Sequence, residues 1–218
     1  MSVDQQVRKH FHADAQRFDA IYDEDKGPVA RFIDNVWRGV VRRRLDLTLE
    51  ALAPLEGKSV LDVGCGSGRF CLAYAQHGAA KVLGIDFAPA MIDLAKEYAR
   101  RLELTHRCDF RVGSFPEAIT DPDHSFDAAT GLGFFDYIEY PVPIISRMRE
   151  LSRETLVMSF PKAHEFRVPL RRLRFKIIGC PLFLYTEPRV KKILADAGVT
   201  RYDWKNLDRD YLVVAHLG

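Results

Sequence analysis

A glycine-rich turn at residues 60–68 constrains the fold of this chain more than any other feature. An apolar run, Val60-Leu61-Asp62-Val63, stops at three glycines on alternate positions, Gly64, Gly66 and Gly68. A helix-like segment follows at once. Glycine has no Cβ atom, so the backbone at these positions can turn tightly and let a ligand approach closely. A strand, a glycine-rich turn and a helix N-terminus together indicate the nucleotide-binding corner of a doubly wound α/β sheet.

The second half of this corner follows in the expected place. The run Lys81–Asp86 predicts a strand that finishes in a carboxylate, and Pro89 then opens another helix. An acidic residue about 20 positions beyond the glycines suits a bidentate hydrogen bond to a ribose diol. The spacing G-x-G-x-G departs from the dinucleotide fingerprint G-x-G-x-x-G, and this difference separates two large enzyme classes.

Taken together, these residues resemble the class I S-adenosylmethionine (SAM) methyltransferases. The first motif of that family reads hydrophobic-Asp-hydrophobic-Gly-x-Gly-x-Gly, and Leu61 to Gly68 matches it without a mismatch. The resemblance implies that the three glycines shape the loop around the methionine moiety of SAM. It also implies that Asp62 helps to orient the amino group of the methionine and that Asp86 binds the ribose hydroxyls.

Two further blocks extend the resemblance along the chain. The segment Cys108–Phe115 is similar to the third strand and adenine loop, with Ser114 where relatives usually carry an aspartate. The segment Ser125–Gly133 predicts a fourth strand, and Asp136 and Tyr137 follow near its carboxyl end, where ligands bind in such sheets. The remaining residues assigned to the cofactor pocket are Cys65, Phe87, Met91, Gly113, Phe115, Gly131 and Tyr22.

The fold predicted from these segments is α/β, a doubly wound Rossmann-like seven-stranded mixed sheet in a single domain, residues 1–218. Two strands near the end, Val199–Trp204 and Tyr211–Ala215, are predicted to form an antiparallel hairpin typical of class I methyltransferases. Before them, the spacing predicts helices over Pro143–Leu151 and Glu187–Ala197, with a short strand at Thr155–Ser159 between the two.

Composition narrows the class of protein. With 218 residues, 47% of them apolar, the chain can bury a sizeable core. A net charge of +2 and the lack of a recognisable RNA-binding module give no argument for a nucleic-acid partner. The four cysteines show no metal-ligand spacing, so no metal site is expected and a reduced, cytoplasmic setting is favoured. No apolar run approaches the roughly 20 residues of a membrane span.

Two segments outside the predicted core are expected to carry the substrate. The first is an N-terminal helical cap, residues 1–54, in which Arg42, Arg43 and Arg44 are interpreted as a solvated helix face. The second is a basic insertion, residues 161–186, interpreted as an amphipathic lid. The open alternatives for this insertion are a cationic mouth for an anionic or lipid-linked acceptor and a patch that rests on a membrane surface.

The predicted activity is methylation of a small molecule at oxygen, nitrogen or carbon. The resemblance extends loosely to methyltransferases of quinone and Mg-protoporphyrin biosynthesis. Asp136, Tyr137 and His164 are the candidates to orient or deprotonate the acceptor, and the oligomeric state is left open. Two alternatives stand beside this hypothesis: an NAD-dependent oxidoreductase, disfavoured by the glycine spacing and the terminal hairpin, and a non-catalytic SAM-binding protein.

Overall fold

A seven-stranded mixed sheet organises the part of the chain that the structure describes. The computed structural model describes residues 28–164, 168–169, 173, 175 and 180–218, with the backbone alone at residues 28–38 and 40. The strands lie in the order β3-β2-β1-β4-β5-β7-β6. Their bounds are β1 Ser59–Val63, β2 Lys81–Asp86, β3 Cys108–Val112, β4 Phe126–Gly131, β5 Ser152–Pro161, β6 Tyr202–Asn206 and β7 Asp210–His216.

Helices connect the strands and cover both faces of the sheet. The described helices are α1 Pro28–Leu52, α2 Arg69–Gln76, α3 Pro89–Arg101, α4 Val142–Leu151 and α5 Glu187–Asp196, with a 3₁₀ turn at Phe135–Tyr137. Proline stands in the first turn of α3, α4 and α5, where its missing N–H costs nothing. Thr186 also caps α5, because its side chain accepts a hydrogen bond from the backbone N–H of Arg189.

The central strands are buried on both faces, which explains why they read as continuous apolar runs. In β1, Val60 packs with α2 and α3 on one face, whereas Leu61 and Val63 pack with α4 and α5 on the other. The same alternation holds in β2, where Val82 and Leu83 belong to opposite faces. Two cores result, one on each side of the sheet.

The last two strands reverse direction and close one side of the sheet. Strand β7 lies antiparallel to β5, so that Pro161 pairs with Asp210 at the carboxyl end of β5. Strand β6 then pairs antiparallel with β7 along the outer edge. Because β1, β2, β3, β4 and β5 run parallel, the start of β7 lies at the same edge as the ends of those strands.

Most of the predicted elements are confirmed, including the seven-stranded mixed sheet and the C-terminal antiparallel hairpin. Strand β5 is longer than predicted, because it extends over Ser152–Pro161 rather than Thr155–Ser159. Both flanks of that segment pair with their neighbours, Ser152 with Phe126 and Pro161 with Asp210. Among the described helices, none combines the length and the apolar character needed to cross a membrane.

One prediction about α1 is wrong for a single residue. Arg42 and Arg43 are exposed, in agreement with a solvated helix face. Arg44 is 8% exposed and forms a buried ion pair with Asp210. The helix turns by about 100° at each residue, so three consecutive arginines cannot all share its solvent face, and Arg44 points towards the sheet.

Gly84 in the middle of β2 lies where the sheet has no room for a side chain. A Cβ atom there would lie 2.8 Å from the sulfur of Cys65, 2.8 Å from the ring of Phe110 and 3.0 Å from the sulfur of Cys71. We expect Gly84→Ala to lower the free energy of unfolding by about 1–3 kcal/mol, the usual cost of overpacking a core.

A second glycine provides the control for this substitution. Gly39 lies inside α1 and is exposed, and a Cβ atom there would meet no atom of the described part of the chain within 4 Å. Gly39→Ala should therefore be neutral or stabilise the protein by about 0.5–1 kcal/mol, because alanine favours a helix interior. Urea unfolding of both variants measures the difference, and equal effects at the two sites would contradict the packing argument.

Candidate active site

Hydrogen bonds to the end of β2 fix the glycine-rich loop at the carboxyl edge of the sheet. The amides of Gly64 and Cys65 both donate to the carbonyl of Ile85, at 2.8 and 3.1 Å. The amide of Gly66 donates to a carboxylate oxygen of Asp86 at 3.0 Å. These three bonds join the loop after β1 to the last two residues of β2, so the two halves of the predicted nucleotide corner form one unit.

The loop requires glycine for its backbone conformation and for its close packing. Gly64, Gly66 and Gly68 all have positive φ angles, between 53° and 77°, a region that other residues rarely adopt. At Gly68 a Cβ atom would also lie 2.8 Å from the ring of Phe110 and 2.9 Å from the Cβ of Ala95. The bare backbone therefore lets α2 begin close to β3 and α3.

Asp86 combines burial with unused hydrogen-bonding capacity. One carboxylate oxygen accepts from the amide of Gly66 and the other accepts from the amide of Ala88 at 2.9 Å. Burial raises the pKa of Asp86, and the two backbone hydrogen bonds partly offset this effect. A carboxylate offers about four lone-pair sites, so each oxygen keeps one for a further donor such as a sugar hydroxyl.

Asp62 lies beneath the loop and is already engaged by neighbouring side chains. It is 2% exposed, and it accepts hydrogen bonds from the hydroxyl of Thr130 at 2.7 Å and the thiol of Cys71 at 3.3 Å. Burial raises the pKa of Asp62 to about 6, although these two hydrogen bonds lower it. Within the described contacts, Asp62 ties β1 to β4 and α2 below the loop.

The segment after β3 provides one wall beside Asp86. The amide of Gly113 donates to the carbonyl of Asp86 at 2.9 Å, and a Cβ atom at Gly113 would lie 2.3 Å from that of Ala118. Ser114 accepts a hydrogen bond from the amide of Ala118 through its carbonyl, and Phe115 is buried. On the other side, Met91 is buried and the half-buried Phe87 packs against it.

The acceptor candidates lie beyond β4, on a short turn that other segments hold in place. Gly131 ends β4, and Asp136, which is 6% exposed, lies with Tyr137 in the 3₁₀ turn. The buried hydroxyl of Tyr185 donates to the carbonyl of Ile138 and lies 3.3 Å from that of Phe135. The amide of Phe183 donates to the carbonyl of Asp136 at 2.8 Å.

Sequence reasoning missed three polar residues at this part of the edge. Arg44 and Asp210 form an ion pair at 2.6 Å, and the hydroxyl of Ser159 accepts from the amide of Gly133 at 2.8 Å. Asp210 begins β7 and is 1% exposed. The sequence offers a signal for Arg44 alone. Leu47 and Thr48 follow it by three and four residues, so all three lie on one face of α1, and that face is buried.

Other predicted site residues are placed less directly. His164 follows β5 and is exposed, two residues beyond Lys162, which bridges to Tyr185. Tyr22 lies outside the described residues, as do five of the basic residues of the insertion: Arg167, Arg171, Arg172, Arg174 and Lys176. Among the described residues, no group of three His, Cys, Asp or Glu side chains is arranged to hold a metal ion.

Comparison with known sequences identifies a domain over the same segment. Residues 60–155 match a family model described as a methyltransferase domain. The chain is 33% identical over 142 residues to a ubiquinone biosynthesis O-methyltransferase of Neisseria meningitidis serogroup C. That alignment covers 58% of this chain and 58% of the relative, so the chain spans little more than half the length of the curated relative it matches.

Solved structures share the fold over almost the whole chain. The magnesium protoporphyrin IX methyltransferase of Synechocystis PCC 6803, with bound S-adenosylhomocysteine (SAH), superposes with a TM-score of 0.78 and 23% identity, covering 99% of this chain and 100% of that one. The geranyl diphosphate C-methyltransferase of Streptomyces coelicolor A3(2) gives a TM-score of 0.77 and 11% identity, covering 100% and 99%. At these identities the likeness establishes the shared fold.

The buried carboxyl of Asp62 predicts a pH dependence of stability. Its pKa of about 6 in the folded protein lies above the value near 4 of an exposed aspartate. A raised pKa contributes stability below pH 4, and that contribution is lost as the pH rises through 6. Relative to Asp62→Asn, the wild type should therefore lose on the order of 1 kcal/mol of unfolding free energy between pH 5 and pH 8.

Urea unfolding at the two pH values measures this difference. Asp93→Asn is the matched control, because it makes the same substitution at an exposed position on α3. A wild type that gains stability relative to Asp62→Asn from pH 5 to pH 8 would contradict the assignment.

Proposed function

We propose that this chain, which has a class I methyltransferase fold and a methyltransferase domain at residues 60–155, transfers a methyl group from SAM to a small-molecule acceptor. The observation that carries this proposal is the unit formed by the glycine-rich loop and the carboxylate of Asp86. It provides closely approachable backbone and a buried carboxylate with spare lone pairs at the carboxyl edge of the sheet.

The residues on this edge suit the parts of SAM. Asp86 would accept hydrogen bonds from the two ribose hydroxyls, and the positive-φ glycines would let the backbone approach the methionine moiety. The adenine would lie between the loop at Gly113–Phe115 and the start of α3, where Phe87 precedes the helix and Met91 lies in its first turn. Asp62 supports the loop from below through Thr130 and Cys71. Its role towards the amino group of SAM therefore acts through the loop.

The reaction makes modest demands on the protein. SAM supplies an electrophilic methyl group on a sulfonium, so the chain has to align the acceptor with it and exclude water. The turn containing Asp136 and Tyr137 lies next to the glycine-rich loop, because the ring of Phe134 packs on Gly64. Asp136 and Tyr137 are therefore proposed to orient the acceptor. His164, which is exposed after β5, is proposed as a group that meets the acceptor from the opposite side.

Relatives suggest the class of acceptor. The matched proteins are named for ubiquinone biosynthesis, for magnesium protoporphyrin IX and for geranyl diphosphate, all of them small molecules. We propose that the chain forms a single domain, acts in the cytoplasm and methylates a small-molecule acceptor. The basic insertion at 161–186 would contact an anionic or lipid-linked part of that acceptor, or a membrane surface. The family match favours this activity over an NAD-dependent oxidoreductase.

Calorimetric titration tests the cofactor. We expect SAM and SAH to bind and NAD not to bind, and Asp86→Ala to weaken both adenosyl ligands at least tenfold, about 1.4 kcal/mol, because the ribose loses its acceptor. Asp93→Ala, which removes an exposed carboxyl from α3, is the control and should bind normally. Binding of NAD without binding of SAM would reject the proposal.

Methyl transfer is tested separately from binding. Protein incubated with methyl-labelled SAM and a panel of phenols, carboxylates and porphyrins should label one class of acceptor and release SAH. Binding of SAM with no transfer to any acceptor would favour the alternative of a non-catalytic SAM-binding protein.

A further inference from the structure

A buried guanidinium lies at the acceptor end of the sheet, and the function proposed above does not use it. Arg44 reaches from α1 across the carboxyl ends of β4, β5 and the start of β7, where it meets Asp210. Its side chain is 10% exposed and that of Asp210 is 1% exposed. The ion pair therefore lies almost fully out of water, below the 3₁₀ turn that carries Asp136 and Tyr137.

Among the described residues, this guanidinium forms hydrogen bonds on one side alone. The Nε and Nη2 atoms of Arg44 both donate to the same carboxylate oxygen of Asp210, at 3.1 and 2.6 Å. Nη1 points to the opposite side, where a Cβ atom on Gly133 would lie 2.9 Å from it. Among the described residues, no protein atom accepts a hydrogen bond from Nη1, and Gly133 leaves room beside it.

The acidic groups around Arg44 keep its guanidinium charged despite burial. Burial lowers the pKa of Arg44, but Asp210, Asp136 and Tyr137 raise it by more, so the group stays cationic. The ion pair with Asp210 uses only Nε and Nη2, so the donors of Nη1 remain available at this end of the sheet among the described residues. Gly133 beside Nη1 is half-buried and the side chain of Arg44 keeps 10% of its surface exposed, so this end of the guanidinium lies close to the protein surface.

We infer that Arg44 binds the acceptor through Nη1 and selects an acceptor that carries an anionic oxygen, as a carboxylate or a phenolate. This inference rests on the function proposed above. Arg44 would hold the oxygen at the carboxyl end of β4, next to the glycine-rich loop. The oxygen lone pair then forms the bond to the methyl carbon while the carbon–sulfur bond breaks and its electrons pass to sulfur, giving SAH and a neutral ester or ether. No proton has to be removed from an acceptor that is already ionised.

Asp210 has a supporting part in this arrangement. The carboxylate of Asp210 accepts from Nε and Nη2 and so fixes the plane of the guanidinium. The N–H groups of Nη1 are therefore held in one orientation. A lysine at residue 44 cannot bind the carboxylate of Asp210 and the acceptor anion in the same geometry, because its ammonium lacks the two separate donor edges of a guanidinium. Arg44→Lys should therefore keep the ion pair and lose the preference for the acceptor anion.

Binding of simple probes to the SAH complex tests the inference. Benzoate provides a carboxylate, 4-nitrophenolate at pH 8 provides a phenolate, and benzamide is the neutral match of benzoate. We expect at least one of the two anions to bind the SAH-saturated protein about tenfold more tightly than benzamide. Benzoate alone binding would assign a carboxylate acceptor, and 4-nitrophenolate alone would assign a phenolate.

Two variants isolate the guanidinium, and neither leaves a carboxylate at residue 210 without its cation. Asp210→Asn removes the partner and keeps Arg44, so the anion preference should persist. Arg44→Gln combined with Asp210→Asn removes both charges, and the preference should disappear while the affinity for SAH stays within about twofold of that of Asp210→Asn. The two proteins differ only at residue 44, which makes them a matched pair.

The results that would overturn the inference are distinct from those that would overturn the proposed function. Equal binding of anions and benzamide to the wild type, no binding of any probe, or a preference that survives in the double variant would each reject the role of Arg44. Failure of the wild type to bind SAH would instead reject the proposed function itself.

Discussion

The hydrogen bonds between the glycine-rich loop and the end of β2 are the constraint on which the rest of the site depends. Gly64 and Cys65 donate to one carbonyl, that of Ile85, and Gly66 donates to the side chain of Asp86. Gly68 at the end of this loop has no side chain, so α2 can start close to β3 and α3, and the glycine backbone stays open to a ligand. The same bonds hold Asp86 in place, because its second oxygen binds the start of α3.

The two halves of the site differ in how much of them a sequence can reveal. The cofactor half consists of contiguous stretches in which glycine positions, a strand-ending carboxylate and proline-led helices each have a local physical cause. Those stretches gave correct elements at β1, β2, β3 and α3, and the positions of their site residues followed from the topology of a parallel sheet.

The acceptor half depends on contacts between segments that are far apart in the chain. Arg44 meets Asp210 across 166 residues, and Tyr185 binds the carbonyl of Phe135 across 50. Helical spacing can place Arg44 on the buried face of α1, but no periodicity signals its pairing with a residue so distant in the chain. The prediction that Arg44 is solvated is wrong because three adjacent arginines cannot share one face of α1. The strand pairing that buries Asp210 became visible only in the assembled sheet.

The four thiols of the described structure have a consequence for following the molecule in solution. Cys65, Cys71, Cys108 and Cys180 are all buried thiols, and burial raises the pKa of the first three, that of Cys108 to about 11. Because alkylating reagents react with the thiolate, labelling near neutral pH has to wait until the surrounding structure opens. The rate at which each cysteine is labelled therefore measures local opening of the structure around it. Cys65, Cys71 and Cys108 report on the packing behind the glycine-rich loop, and Cys180 reports on the segment leading to Tyr185.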